Sequence, residues 1–104
     1  MIMSKLNEKE ILTKLKENGS WTYKDSMLKR VFIFSNFIDA FKFMTLIALE
    51  ADRMDHHPEW SNVYNKVKVN LVTHEVSGVT EKDFILAKSM DEVANMILSN
   101  DKEL

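Results

Sequence analysis

Apolar residues recur along this chain with two periods, one near 3.6 and one of 2, and the switching between them marks out its elements. The first is a predicted helix from about Ser4 or Asn7 to Asn18. There Ile11, Leu12 and Leu15 share a face, and Asn7-x-x-Glu10 has the form of a capping box. Gly19 stands where a left-handed helix cap is expected. Period-two alternation then predicts strands over Trp21–Tyr23 and Leu28–Phe34, with Lys24-Asp25-Ser26-Met27 turning between them. In the second strand Leu28, Arg30, Phe32 and Phe34 face one way, and Lys29, Val31 and Ile33 the other.

The longest helix is predicted from about Asn36 to Asp55, opened by Asn36 with Asp39 three residues on. Its apolar positions form three stripes: Phe37, Phe41, Met44, Ala48 and Ala51; Ala40, Phe43, Ile47 and Met54; and Leu46 with Leu49. A helix this apolar around its circumference is normally covered on more than one side, and one small sheet covers only one. The surplus predicts contact with another subunit. Pro58 closes the helix, because the residue before a proline is pushed away from helical angles. Two more strands follow, Trp60–Asn65 and Val67–Glu75, with a short connection near Asn65-Lys66. Ser77-Gly78 turns the chain. Thr80-x-x-Asp83 caps a last helix, whose Leu86, Met90, Val93 and Ile97 point inward. The order α-β-β-α-β-β-α predicts an α+β fold: one four-stranded antiparallel sheet with helices packed on one face.

Length and composition narrow the function classes. A chain of 104 residues is expected to form a single domain, 1–104. With 45% apolar and 29% charged residues it reads as an ordinary globular protein. A formal charge of −2 offers no basic field for nucleic acid or an anionic membrane, so neither is expected as a partner. No apolar run is long enough to span a bilayer. The start, Met1-Ile2-Met3-Ser4-Lys5, turns charged at once without a signal-peptide core, which makes the cytoplasm the expected location. The tail Asp101-Lys102-Glu103-Leu104 has the outline of an ER-retrieval signal but no secretory signal to accompany it. Cysteine is absent, which removes disulfides, thiolate nucleophiles and thiolate metal sites. Two glycines leave no room for a phosphate-binding glycine loop.

The chemistry is concentrated in three histidines, His56, His57 and His74, the only ones in the chain. The first two stand just past a helix C-terminus, whose partial negative charge favours a protonated imidazole. Adjacent histidines diverge on any regular element, and no HExxH or thiolate accompanies them, so no metal site is expected. Ser61 and Ser77 lack a nucleophile-elbow context. General acid–base chemistry by imidazole remains, with Asp52, Asp55, Glu59 and Glu75 close in sequence to orient it. Taken singly, each residue has a duller reading. His57 before a proline is a turn residue, His74 a strand residue, and Asp83 a helix-capping residue. A hairpin returning beside the helix end is what brings His56 and His74 together.

The run Glu50-Ala51-Asp52-Arg53-Met54-Asp55-His56-His57-Pro58-Glu59-Trp60, then Asn62-Val63-Tyr64-Asn65-Lys66-Val67 and Thr73-His74-Glu75, closely resembles the pterin-4a-carbinolamine dehydratase family. Phe41, Phe43-Met44-Thr45, Gly78 and Asp83 extend the resemblance over roughly Trp21 to Val93. It implies a lyase that removes water from 4a-hydroxytetrahydropterin to give the quinonoid dihydropterin. Such an enzyme recycles the cofactor of an aromatic amino-acid hydroxylase, a functional partner, and needs no cofactor of its own. The family is also known for tetramers built from pairs of dimers, so a homodimer or homotetramer is implied. The resemblance assigns His56 and His74 as the acid–base pair and His57 to positioning the pterin. Asp52, Asp55, Pro58, Thr73, Glu75 and Asp83 are similar in place to residues around the substrate; Asp52 stands where the family often has Glu. Two further roles come with the resemblance: a non-enzymatic dimerisation cofactor for a homeodomain transcription factor, and a pterin-handling step near molybdenum cofactor metabolism.

Overall fold

A computed structural model describes residues 4–102. Met1–Met3 at the N-terminus, together with Glu103 and Leu104 of the tail, lie outside the described residues. Helix α1 spans Glu8–Glu17 and opens with the expected capping box: Glu10 N–H donates to Asn7 Oδ1 (2.8 Å) and Asn7 N–H to Glu10 Oε1 (3.0 Å). Its other end departs from the glycine-cap expectation, since neither glycine adopts a positive φ. Asn18 closes the helix instead, donating its backbone N–H to Leu15 O and its side-chain amide to Lys14 O. Strand β1 (Thr22–Lys24) turns through Asp25 and Ser26, both left-handed, into β2 (Met27–Ile33).

Helix α2 spans Phe37–Met54. Asn36 caps it by accepting from Asp39 N–H at 2.8 Å. The helix stops before Pro58 acts: Asp55 takes a left-handed conformation (φ 52°), and His56 N–H closes back on Ala51 O at 3.0 Å. Strands β3 (Glu59–Val63) and β4 (Lys66–Leu71) form the second hairpin, and α3 spans Glu81–Lys102. The sheet order is β1-β2-β4-β3, with antiparallel pairing throughout. The two hairpins join through β2 and β4, in register from Leu28 opposite Leu71 to Ile33 opposite Lys66.

One face of this sheet is covered by helices. Leu28, Phe32, Val67, Val69 and Leu71 pack with Ala40, Phe43, Ile47 and Ala51 of α2 and with Leu86, Ala87, Met90, Ala94 and Ile97 of α3. Arg30 also lies on this side, its guanidinium 4.1 Å from the Phe32 ring and paired with Asp91 of α3, which also accepts from Trp21 Nε1 at 2.9 Å. The opposite face stays open, with Val31, Ile33, Lys66 and Lys68 exposed. No helix among the described residues is long and apolar enough to cross a membrane.

Two further expectations are corrected. The last strand ends at Leu71, not Glu75, because Thr73 leaves the ladder to pair with Gly78 across a tight loop (Thr73 N–H to Gly78 O, 2.9 Å). Within that loop His74–Val76 form a single 3-10 turn, ending at left-handed Ser77. The stripes of α2 also sort differently. Ala40, Phe43, Ile47 and Ala51 are buried, whereas Phe37, Phe41, Leu46 and Leu49 are exposed. The sheet and α3 claim one stripe only.

Candidate active site

Three chain breaks meet at one end of the molecule: the exit from α2, the loop after β4, and the first turn of α3. Each contributes to a buried polar network. His56 Nε2 lies 2.6 Å from Asp83 Oδ1. Asp83 Oδ2 accepts from Thr73 Oγ1 at 2.9 Å and from Thr80 N–H at 2.9 Å. Thr73 Oγ1 in turn lies 2.8 Å from Thr80 Oγ1. Asp83 and Thr80 have no exposed surface, and Thr73 and His56 are almost fully buried.

A carboxylate buried this deeply is tolerated only when its lone pairs are met by donors, and here three donors do so. The first turn of α3 adds its positive dipole end. A carboxylate with those partners is an acceptor, so the imidazole proton belongs on His56 Nε2, which leaves Nδ1 as the nitrogen not committed to Asp83. Asp83 thus combines the capping role read from Thr80-x-x-Asp83 with a second role, holding His56. Local spacing carries no signal for the second, because 27 residues separate the partners. Thr80 is the residue that sequence reasoning took only as a cap, and its hydroxyl belongs to the same network.

The other two imidazoles stand in the open. His57 has 60% of its side chain exposed, with Nε2 3.4 Å from Asp52 Oδ1 on the last turn of α2. His74 has 70% exposed, with Nε2 3.8 Å from Glu59 Oε2 at the start of β3. Each histidine therefore has its own carboxylate, and Asp52 serves His57, not the His56 one turn away. The network and this last contact bring the three histidines to one region: His74 follows Thr73 directly and reaches Glu59, two residues beyond His57. Pro58, next after His57 in the chain, is half-buried. Asp55 and Glu75 are exposed nearby, Asp55 as the left-handed end of α2 and Glu75 in the 3-10 turn. Among the described residues no group of three or more His, Asp or Glu side chains is arranged to hold a metal ion.

Such an arrangement suits proton transfer: one imidazole locked from behind by a buried carboxylate, and two exposed imidazoles able to exchange protons with a small molecule. Comparison with known proteins bears on the family. Residues 4–93 match the family model described as pterin 4 alpha carbinolamine dehydratase. A relative from Solibacter usitatus, provisionally named pterin-4-alpha-carbinolamine dehydratase, is 48% identical over 88% of this chain and 96% of its own length. A relative of the same provisional name from Christiangramia forsetii is 47% identical over 88% of this chain and 95% of its own. The crystal structure of a transcriptional coactivator/pterin dehydratase from Brucella melitensis superimposes with a TM-score of 0.85 at 42% identity, covering 88% of this chain and 99% of that one. The chain belongs to the pterin 4 alpha carbinolamine dehydratase family.

Proposed function

We propose that this protein dehydrates 4a-hydroxytetrahydropterin to the quinonoid dihydropterin and water by histidine acid–base catalysis. It thereby returns the pterin to the cycle that serves an aromatic amino-acid hydroxylase. The observation that carries this reading is the gathering of three imidazoles, each beside its own carboxylate, at the end of the sheet.

Hydroxide is a poor leaving group from C4a, so an acid must protonate it as the C–O bond breaks. The lone pair on N5 forms the C4a=N5 double bond, and the N5 proton passes to a base. Each transfer by a placed imidazole contributes typically about 10²–10⁴-fold. His56 and His74 form the acid–base pair in this reading, and His57 positions the pterin with Asp52, Asp55, Pro58, Thr73 and Glu75 around it. Asp83, having no exposed surface, acts through His56. An exchange of roles between the first two histidines is favoured by exposure, since the His57 side chain is 60% accessible and that of His56 only 8%. In that variant His57 and His74 handle the protons, and His56 anchors the floor.

The direct test is stopped-flow absorbance on chemically generated 4a-hydroxytetrahydropterin, with spontaneous dehydration as the baseline. Acceleration above that baseline supports the lyase. A rate equal to the baseline at micromolar protein removes it.

A protein-interaction role is favoured by a separate observation. Ile38, Phe41, Lys42, Thr45 and Leu46 line an apolar groove of about 360 Å³ on the open side of α2, and Leu49 beyond it is 67% exposed. A second copy of the chain laying its own α2 there gives the homodimer or homotetramer; the same surface would serve a dimerisation-cofactor role. Size in solution separates a self-assembling chain from a monomer.

A further inference from the structure

The network behind His56 fixes more than the position of Asp83. Thr73 has one hydroxyl proton, and a carboxylate offers none in return, so that proton goes to Asp83 Oδ2. The hydrogen bond between the two threonine hydroxyls must then be made by the proton of Thr80. Thr80 Oγ1 also accepts from Lys82 N–H at 3.2 Å, which is its ordinary capping duty. Every proton in the chain has one direction: Thr80 to Thr73, Thr73 to Asp83, and His56 Nε2–H to the other oxygen of Asp83. Capping alone needs only an acceptor at this position, and asparagine or aspartate would supply one. The donated proton is an additional requirement, which aspartate fails and which a hydroxyl meets from the same atom that caps the helix.

We propose that Thr80 is a positioning residue for the reaction: through Thr73 it holds Asp83 as a pure acceptor, and so locks His56 as its Nε2–H tautomer with Nδ1 turned to proton exchange. This rests on the dehydratase reading for its catalytic consequence but not for its structural one. Both hydroxyls are buried, so no water replaces either hydrogen bond when it is lost. With Thr80 silent, the Thr73 hydroxyl is left without its donor and turns as a weaker partner for Asp83. A carboxylate with fewer donors binds a proton more readily, so Asp83 takes the Nε2 proton, Nδ1 takes one from water, and His56 samples the Nδ1–H tautomer.

The test is nitrogen NMR of the His56 ring in full-length protein, alongside kcat and KM. Wild type is expected to show a single Nε2–H tautomer. Thr80→Val and Thr73→Val are expected to give the same partial conversion toward the Nδ1–H form, and Thr80→Val, which lies outside the pterin-lining set, is expected to lower kcat roughly tenfold with KM little changed. Thr80→Ser keeps both donor and acceptor and is expected to restore the wild-type spectrum and rate. Thr73→Val leaves the α3 cap in place, so it reads the network even where Thr80→Val fails to fold. An unaltered His56 tautomer in folded Thr73→Val overturns the proposal, as does a mixed tautomer in wild type. If wild type shows the locked tautomer but no dehydration above baseline, the lyase reading fails while the lock stands.

Discussion

His56 Nε2 and Asp83 Oδ1 meet at 2.6 Å across the junction between the end of α2 and the first turn of α3. The pair ties together the ends of two helices that also pack against each other along the core. It also makes the two residues unequal to the exposed pairs around them. Replacing Asp83 by asparagine leaves one oxygen for the Thr73 hydroxyl and Thr80 N–H but sets an NH2 donor against His56 Nε2–H. Breaking a buried pair of this kind typically costs about 3–5 kcal/mol. Asp83→Asn is therefore expected to lose about 3 kcal/mol in urea unfolding, with dehydration falling alongside. A loss below about 1 kcal/mol contradicts the geometry.

The histidines are expected to separate in how they fail. His74→Ala removes an exposed ring and leaves stability within about 0.5 kcal/mol, while slowing dehydration by about 10²-fold or more. His56→Ala slows the reaction too, but leaves the Asp83 carboxylate buried without its largest partner, and so also lowers the unfolding midpoint. Stopped-flow rates and urea curves on the same two proteins read both effects. Wild-type turnover in His74→Ala would remove that residue from the reaction in either assignment of the pair.

Leu46 and Leu49 provide the test of assembly. Both are exposed on the stripe of α2 that neither the sheet nor α3 covers. Leu46→Glu and Leu49→Lys are expected to convert the oligomer to monomer in sedimentation equilibrium, with helix content retained. A wild-type chain that sediments as a monomer at all concentrations sinks the idea.

Stability should also depend on pH through two carboxyls far from the histidines. Asp39, buried in the first turn of α2, is raised above its ordinary pKa by a hydrogen bond with Asp101 near the end of α3, then by burial. Asp101 is lowered, first by that same bond and then by the hydroxyl of Ser35, which donates to it at 2.9 Å. Lys42, 4.0 Å from Asp39, opposes the rise. That hydrogen bond requires a proton on Asp39, since two ionised carboxylates have none to donate. The raised Asp39 contributes stability that is full below its unfolded-state pKa and is lost as pH rises through the folded one. The lowered Asp101 contributes above its unfolded-state pKa and is lost as pH falls through its folded one. The Asp39 contribution is thus present in acid and fades as pH rises, while the Asp101 contribution fades only as pH falls. Asp39→Asn carries a donor at every pH. It is expected to be more stable than wild type at about pH 7, with the difference closing toward about pH 4, in paired urea titrations. A pH-independent difference would contradict the raised Asp39.

Local sequence was sufficient where local physics decides. Asn7-x-x-Glu10 and Asn36 with Asp39 announced two helix starts, and both caps form with the expected hydrogen bonds. The alternation of Leu28, Arg30, Phe32 and Phe34 with Lys29, Val31 and Ile33 set which face of β2 meets the helices. The grouping of His56, His57 and His74 with nearby carboxylates was also legible, because a short-range helix stop and hairpin return leave them few places to go. What periodicity could not reach was any partnership across distant elements. That Asp83 binds His56 while Asp52 turns to His57, and that β4 stops at Leu71 so that Thr73 can face Asp83, depends on how α2, β4 and α3 pack against one another. Helix caps and apolar period act between near neighbours along the chain, whereas a buried carboxylate finds its donors only once the helices are in place.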